Sequence, residues 1–216
     1  MAETRDVTVI DTRLADRLEG YGGPSARDPI KVNASTPMAD MMRQIKAKVD
    51  YPRVKIGMLI IAAHGYGERD VDSAAHDGFG MQLCLEDLDM KSVHYFCALE
   101  GQFASRDLGL TLLGCGVARQ ERVKTRDGVK MGFGERLCTA IARATLTGVV
   151  ASTDVQRGSP NTVKRRVGKT LQDFRVEETR VYDPGAWEGS VYIFTPDGAK
   201  TKATPGLLAR LVKGSP

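Results

Sequence analysis

The chain has 216 residues, 42% of them hydrophobic and 27% charged, and its 31 Lys and Arg against 27 Asp and Glu leave a formal charge of +4. These proportions exclude disorder as the main state and fit one globular domain of ordinary size. The longest apolar run, Gly57 to Ala63, falls far short of the ~20 residues that cross a bilayer, and no apolar core of a secretory signal follows Met1-Ala2-Glu3-Thr4-Arg5-Asp6. A cytoplasmic protein without membrane contact is therefore expected, with export by another route left open.

Val7-Thr8-Val9-Ile10 is a β-branched run that predicts a buried strand, followed by a Gly- and Pro-rich loop from Gly20 to Pro29. Thr36 before Pro37 predicts a helix start, with Thr36 as the cap; Met38, Met41, Met42, Ile45 and Val49 then recur at helical spacing. The methionines read as core, since a thioether fills irregular apolar gaps. Lys55 to Ala63 predicts a central strand buried on both faces that ends at Ala63-His64-Gly65. Tyr66 to Gly80 reads as a loop or hairpin excursion, and Met81-Gln82-Leu83-Cys84-Leu85 resumes a short alternating pattern. Asp87 or Asp89 is placed to cap a helix whose Val93, Phe96, Cys97 and Glu100 share one side.

Leu108 to Leu113 predicts the next buried strand, which stops at Gly114-Cys115-Gly116. Phe133, Leu137, Ile141 and Ala144 then mark a helix, Gly148 to Ser152 another buried strand, and Val191 to Phe194 a late edge strand before the turn residues Pro196-Asp197-Gly198. Leu207, Leu208 and Leu211 fall on one side of a short C-terminal helix. Strands alternating with helices predict an α/β domain over residues 1–196, its sheet mostly parallel with right-handed crossovers, and a C-terminal tail over 197–216.

The densest basic clusters, Arg119 to Lys130 and Lys164 to Lys169, interleave no aromatic residues, so they read as solvated loops and nucleic acid is not an expected partner. The four cysteines, Cys84, Cys97, Cys115 and Cys138, form no C-x-x-C pair, and the three histidines have no ligand spacing; no metal is expected. Cys84, Cys97 and Cys138 lie inside predicted elements and read as small buried hydrophobes, while His76 and His94 read as surface or satisfied residues. The Asp-containing segment from Glu68 to Asp77 could bind calcium, although it contains no calcium-loop motif.

Ligand sites of open α/β sheets lie beyond the carboxyl ends of the strands, so His64 and Cys115, each just past a predicted strand, are expected on one rim. A neighbouring histidine raises the thiolate fraction of a cysteine, and backbone N–H groups can hold an oxyanion. Gly65 and Gly116 flank the pair and leave the backbone open to a substrate carbonyl. The competing reading makes Cys115 an inert small residue and His64 a strand-end histidine bonded to a backbone carbonyl.

Three motifs, Ala63-His64-Gly65, Gly114-Cys115-Gly116-Val117-Ala118 and Val149-Val150-Ala151-Ser152-Thr153-Asp154, occur in that order, with His64 and Cys115 roughly 50 residues apart. Over about residues 54–155 the chain resembles the caspase-like (clan CD) cysteine peptidases, most closely bacterial domains with HG, GCxVA and ASTD motifs. The resemblance implies a caspase–hemoglobinase fold, a three-layer sandwich with a central sheet between helices. It also implies an endopeptidase acting on a peptide or protein substrate without a cofactor. Cys115 would be the nucleophile, His64 the proton donor to the leaving amine, and the backbone N–H groups of Gly65 and Cys115 the oxyanion hole. Caspases carry Gln-Ala-Cys where this chain has Leu113-Gly114-Cys115, which removes any inference of specificity for aspartate. In relatives that cleave after basic residues an acid lines the first specificity pocket; Asp154 is the acid that the motifs place, and with Ser152 it is the candidate substrate-binding group. The basic segment after the nucleophile is either a self-cleavage site or a plain connection. Two other readings compete: a catalytically inactive caspase-like domain that binds a protein partner, and another thiol hydrolase, the latter weakened because Gly114-Cys115-Gly116 does not fit a nucleophile elbow.

Overall fold

The computed structural model describes residues 3–14, 20–21, 28–65, 80–119, 122–125, 128–131, 133–154, 159–167, 175–183, 187 and 189–213. The β-branched run near the N-terminus forms the buried half of β1 (Glu3–Asp11), whose exposed half is charged. After a 3-10 turn over Thr12–Leu14 and the two-residue β2 (Gly20–Tyr21), the chain enters β3 (Ile30–Val32), which pairs parallel with β1. Helix α1 (Met38–Lys48) then returns the chain to β4 (Val54–Ala62), which pairs parallel with the other side of β1. A 3-10 helix over Val93–Leu99 leads on to β5 (Leu110–Leu113), parallel to β4. Beyond the hairpin of β6 (Arg122–Thr125) and β7 (Gly128–Met131) come α2 (Gly134–Thr145) and β8 (Val149–Ser152), parallel to β5.

Strands β9 (Ser159–Val167) and β10 (Arg175–Asp183) pair antiparallel, and β2 adds to β10, so a separate small sheet forms from segments that leave the carboxyl ends of β1 and β8. The chain closes with β11 (Val191–Phe194), β12 (Lys200–Lys202) and α3 (Pro205–Lys213). Among the described residues the main sheet has seven strands in the order β12-β11-β8-β5-β4-β1-β3, parallel except for β11 and β12. The fold is thus α/β with a mostly parallel sheet.

Side chains alternate across this sheet. Val9, Leu59, Ile61, Leu110, Leu112, Val149 and Ala151 face α1, the 3-10 helix and α2, where Met41, Ile45, Phe96 and Ile141 are fully buried. Burying each such side chain contributes about 1.5–3 kcal/mol. The opposite face turns Ile10, Ile60, Ala62 and Leu113 toward Trp187, and Val150 and Val191 toward Leu207, Leu208 and Leu211 of α3. Helices therefore cover both faces.

Several expectations need correction. Thr36 does not cap α1: its hydroxyl bonds Asn33, Pro37 occupies the cap position, and the Met38 N–H is taken by Glu86 Oε2 at 2.8 Å. The helix after Asp89 is a 3-10 helix, whose three-residue period buries Phe96 and Leu99 together and leaves Cys97 exposed rather than in the core. Met81 to Leu85 forms no strand; Met81 makes single bridges to Gly65 and Leu88. Both basic clusters contain strands, β6 and β7 in one and part of β9 in the other. Val191 to Phe194 is not an edge, because β12 pairs outside it. The segment from 197 onward holds the expected short helix and also this edge strand. The acidic segment 68–77 and His76 lie outside the described residues.

Candidate functional site

Strands β4 and β5 are adjacent and parallel, so their carboxyl ends deliver His64 and Cys115 to the same rim of the sheet. The two turns touch. A Cβ built on Gly65 would stand 1.9 Å from the Cys115 carbonyl oxygen and 2.5 Å from its nitrogen, so only glycine permits this approach. The backbone segments expected to carry the oxyanion donors, Gly65 and Cys115, are thereby in direct contact. Gly116 follows with φ of +60°, a left-handed conformation that reverses the chain just after the cysteine.

The Cys115 turn is held from one side by the segment after β8. Gly116 N–H donates to the Asp154 carbonyl at 2.9 Å, Ala118 N–H to the Ser152 carbonyl at 2.9 Å, and Arg119 Nε to the Thr153 carbonyl at 3.2 Å. Asp154 sits beside this turn, and its carboxylate accepts from Ser190 N–H at 2.9 Å and from the Thr153 hydroxyl at 2.8 Å. These bonds, with the Arg119 charge nearby, hold its carboxyl below the usual carboxylate range. Ser152 is fully buried, and its hydroxyl accepts the Asp154 N–H at 3.0 Å. Both candidate substrate-binding residues thus lie next to the Cys115 turn and hold it through their backbone carbonyls, while their side chains bond within the segment after β8 and to Ser190.

His64 is exposed, and its Nε2 lies 3.0 Å from the Arg13 carbonyl oxygen. A carbonyl can only accept, so Nε2 carries the proton in this bond and Nδ1 carries the lone pair of the neutral ring. The backbone-carbonyl contact that competed with a catalytic role is present, and it also orients the ring. The Arg13 side chain reaches back to Asp11, and both adjoin the 84–87 segment, where Cys84 and Asp87 adopt φ of +61° and +59°. Left-handed non-glycine residues of this kind collect around functional sites. Asp11 and Arg13 escape a motif search, but the signal was available as Asp11-Thr12-Arg13 at the carboxyl end of a buried strand. Trp187 was also missed; it packs against the cluster of Ile10, Ile60, Ala62 and Leu113 on that face of the sheet.

None of the four cysteines is in a disulfide. Cys84 and Cys138 are buried, and burial pushes both thiols up, Cys84 to about 12, whereas Cys115 is half-buried. His94 is exposed, with Nδ1 at 2.7 Å from the Lys91 carbonyl. Among the described residues no group of three or more His, Cys, Asp or Glu side chains is arranged to hold a metal ion, and no helix is long and apolar enough to cross a membrane. An open groove of about 390 Å³ lies between α1 and the 3-10 helix, over Met42 and Tyr95, and includes neither His64 nor Cys115. No family model, no curated protein and no solved structure matches this chain.

Proposed function

We propose that the protein is a caspase-like cysteine endopeptidase in which Cys115 and His64 form the catalytic dyad. The support is the contact between Gly65 and the Cys115 peptide, which joins the two motif-bearing turns at one rim; helices on both faces of the sheet agree with the three-layer arrangement of that fold. The Cys115 thiolate attacks the substrate carbonyl carbon, forming a C–S bond and an oxyanion held by the N–H groups of Gly65 and Cys115. Collapse breaks the C–N bond while the His64 imidazolium gives its proton to the leaving amine. Water then attacks the thioester, His64 takes its proton, and the C–S bond breaks to release the acid. Asp154 is the proposed acid for a basic residue before the scissile bond, and a cut in the segment that carries β6 and β7 is the proposed self-processing.

The test is cleavage of a peptide library varied at the residue before the scissile bond, with iodoacetamide labelling mapped by mass spectrometry. In the wild type Cys115 is expected to alkylate faster than exposed Cys97, with Cys84 and Cys138 labelled only on unfolding. Cleavage should vanish in Cys115→Ala and fall by about 10²-fold or more in His64→Ala. Cleavage surviving in Cys115→Ala would overturn the assignment; a folded wild type that cuts nothing and whose Cys115 reacts no faster than Cys97 would favour the inactive interaction module.

A further inference from the structure

The Asp11 carboxylate has no exposed surface, yet it is fully bonded. Its Oδ1 accepts the Arg13 N–H at 3.0 Å and Arg13 Nε at 2.9 Å; its Oδ2 accepts Arg13 Nη2 at 2.8 Å and the Cys84 N–H at 3.0 Å. Arg13 Nη2 also donates to the Cys84 carbonyl at 2.9 Å, and Nη1 lies 3.6 Å from Asp87 Oδ1. One carboxylate therefore fixes both ends of the same residue, the amide and the guanidinium of Arg13. A residue pinned at its N–H and at its fork has little freedom left at its carbonyl, and that carbonyl is the group that holds His64 Nε2 at 3.0 Å. A lysine would supply the charge but not the fork.

We infer that Asp11 and Arg13 are positioning residues for His64, a paired clamp at the end of β1 that keeps the imidazole proton on Nε2 and leaves Nδ1 for proton exchange at Cys115. The catalytic half of this inference rests on the peptidase reading; the tautomer half does not. His94 provides an internal contrast, because its carbonyl contact is through Nδ1 and so selects the other tautomer.

Long-range ¹H–¹⁵N correlation spectra of the full chain at pH 8, with His64 identified by its loss in His64→Gln, read each tautomer directly. The wild type should show His64 protonated at Nε2 and His94 at Nδ1. In Arg13→Lys, with His94 unchanged as the sign of a native fold, His64 should average between tautomers, and kcat should fall about 10- to 100-fold with KM within about twofold. Asp11→Asn should act in the same direction; should that variant not fold, Arg13→Gln takes its place, since the Arg13 side chain is 29% exposed. A wild-type His64 that averages or prefers Nδ1–H overturns the inference, as does an unaltered His64 tautomer in folded Arg13→Lys. A clamp-dependent tautomer in a protein that cleaves nothing and whose Cys115 alkylates no faster than Cys97 would sustain the positioning and remove the peptidase reading. Cleavage with a tautomer indifferent to Arg13 would do the reverse.

Discussion

At the scale of single residues, Asp154 joins three parts of the chain. Its carbonyl receives the N–H of Gly116, its carboxylate receives the N–H of Ser190, and Gly189 beside it has φ of +68° with no room for a Cβ, which would stand 2.1 Å from Asp154 Oδ2. The Ser190 N–H, the Thr153 hydroxyl and then the Arg119 charge favour the ionised carboxyl, so folding lowers its pKa. A group depressed in this way stabilises the fold fully above its unfolded value near 3.9, and that contribution is lost as the pH falls through the lower folded value. Asp154→Asn should therefore be less stable than the wild type at pH 7, with a gap that narrows below about pH 4. Urea midpoints of the two proteins between pH 2 and 7 measure it, and because Asp6 and Asp197 titrate in both proteins their contributions cancel. A gap independent of pH would show that the carboxylate charge adds nothing to the stability of the fold.

At the scale of elements, α1 shows what a sequence window can and cannot reveal. Its apolar period named Met38, Met41, Met42 and Ile45 correctly as buried. The cap was illegible, since Glu86 reaches the Met38 N–H from 48 residues away and nothing local marks that contact. A carboxylate at this position both satisfies an orphan donor and faces the positive end of the helix. Glu86→Ala is expected to cost about 1 kcal/mol and Glu86→Gln, which keeps the acceptor, less. Urea unfolding measures both, and amide exchange at Met38 should accelerate in the alanine variant; equal costs for the two would assign the effect to packing. The same limit explains Cys97, whose exposure depends on a 3-10 rather than an α-helical period that apolar spacing does not distinguish. The rim placement of His64 and Cys115 was legible because it follows from the ends of two continuous apolar strands. The Arg13 contact was not, because it depends on β1 lying beside β4, a matter of strand order.

At the scale of the whole molecule, the division at residue 196 has a physical consequence. Composition marks 197 onward as polar at first, with exposed Lys200, Thr201 and Lys202, and reads as a tail. Yet these residues pair with β11 and lead to α3, which lays Leu207, Leu208 and Leu211 over Val150 and Val191. Leu211 and Ala203 are buried and Leu207 and Leu208 partly so; with full burial of a leucine side chain contributing about 1.5–3 kcal/mol, removing this segment forfeits a few kcal/mol. That is a sizeable part of a net stability of about 5–15 kcal/mol for an ordinary domain. A chain ending at Pro196 should accordingly lose its cooperative thermal transition and bind a hydrophobic dye through the bared face of the sheet. The effect should extend to the candidate site, since β11 begins one residue after Ser190, whose N–H holds Asp154, and Asp154 holds Gly116. Cys115 in the truncated chain should then alkylate at the rate of the urea-unfolded protein. A truncated chain with an unchanged melting transition and a native Cys115 rate would mean that β12 and α3 are appended to the sheet rather than part of what holds it.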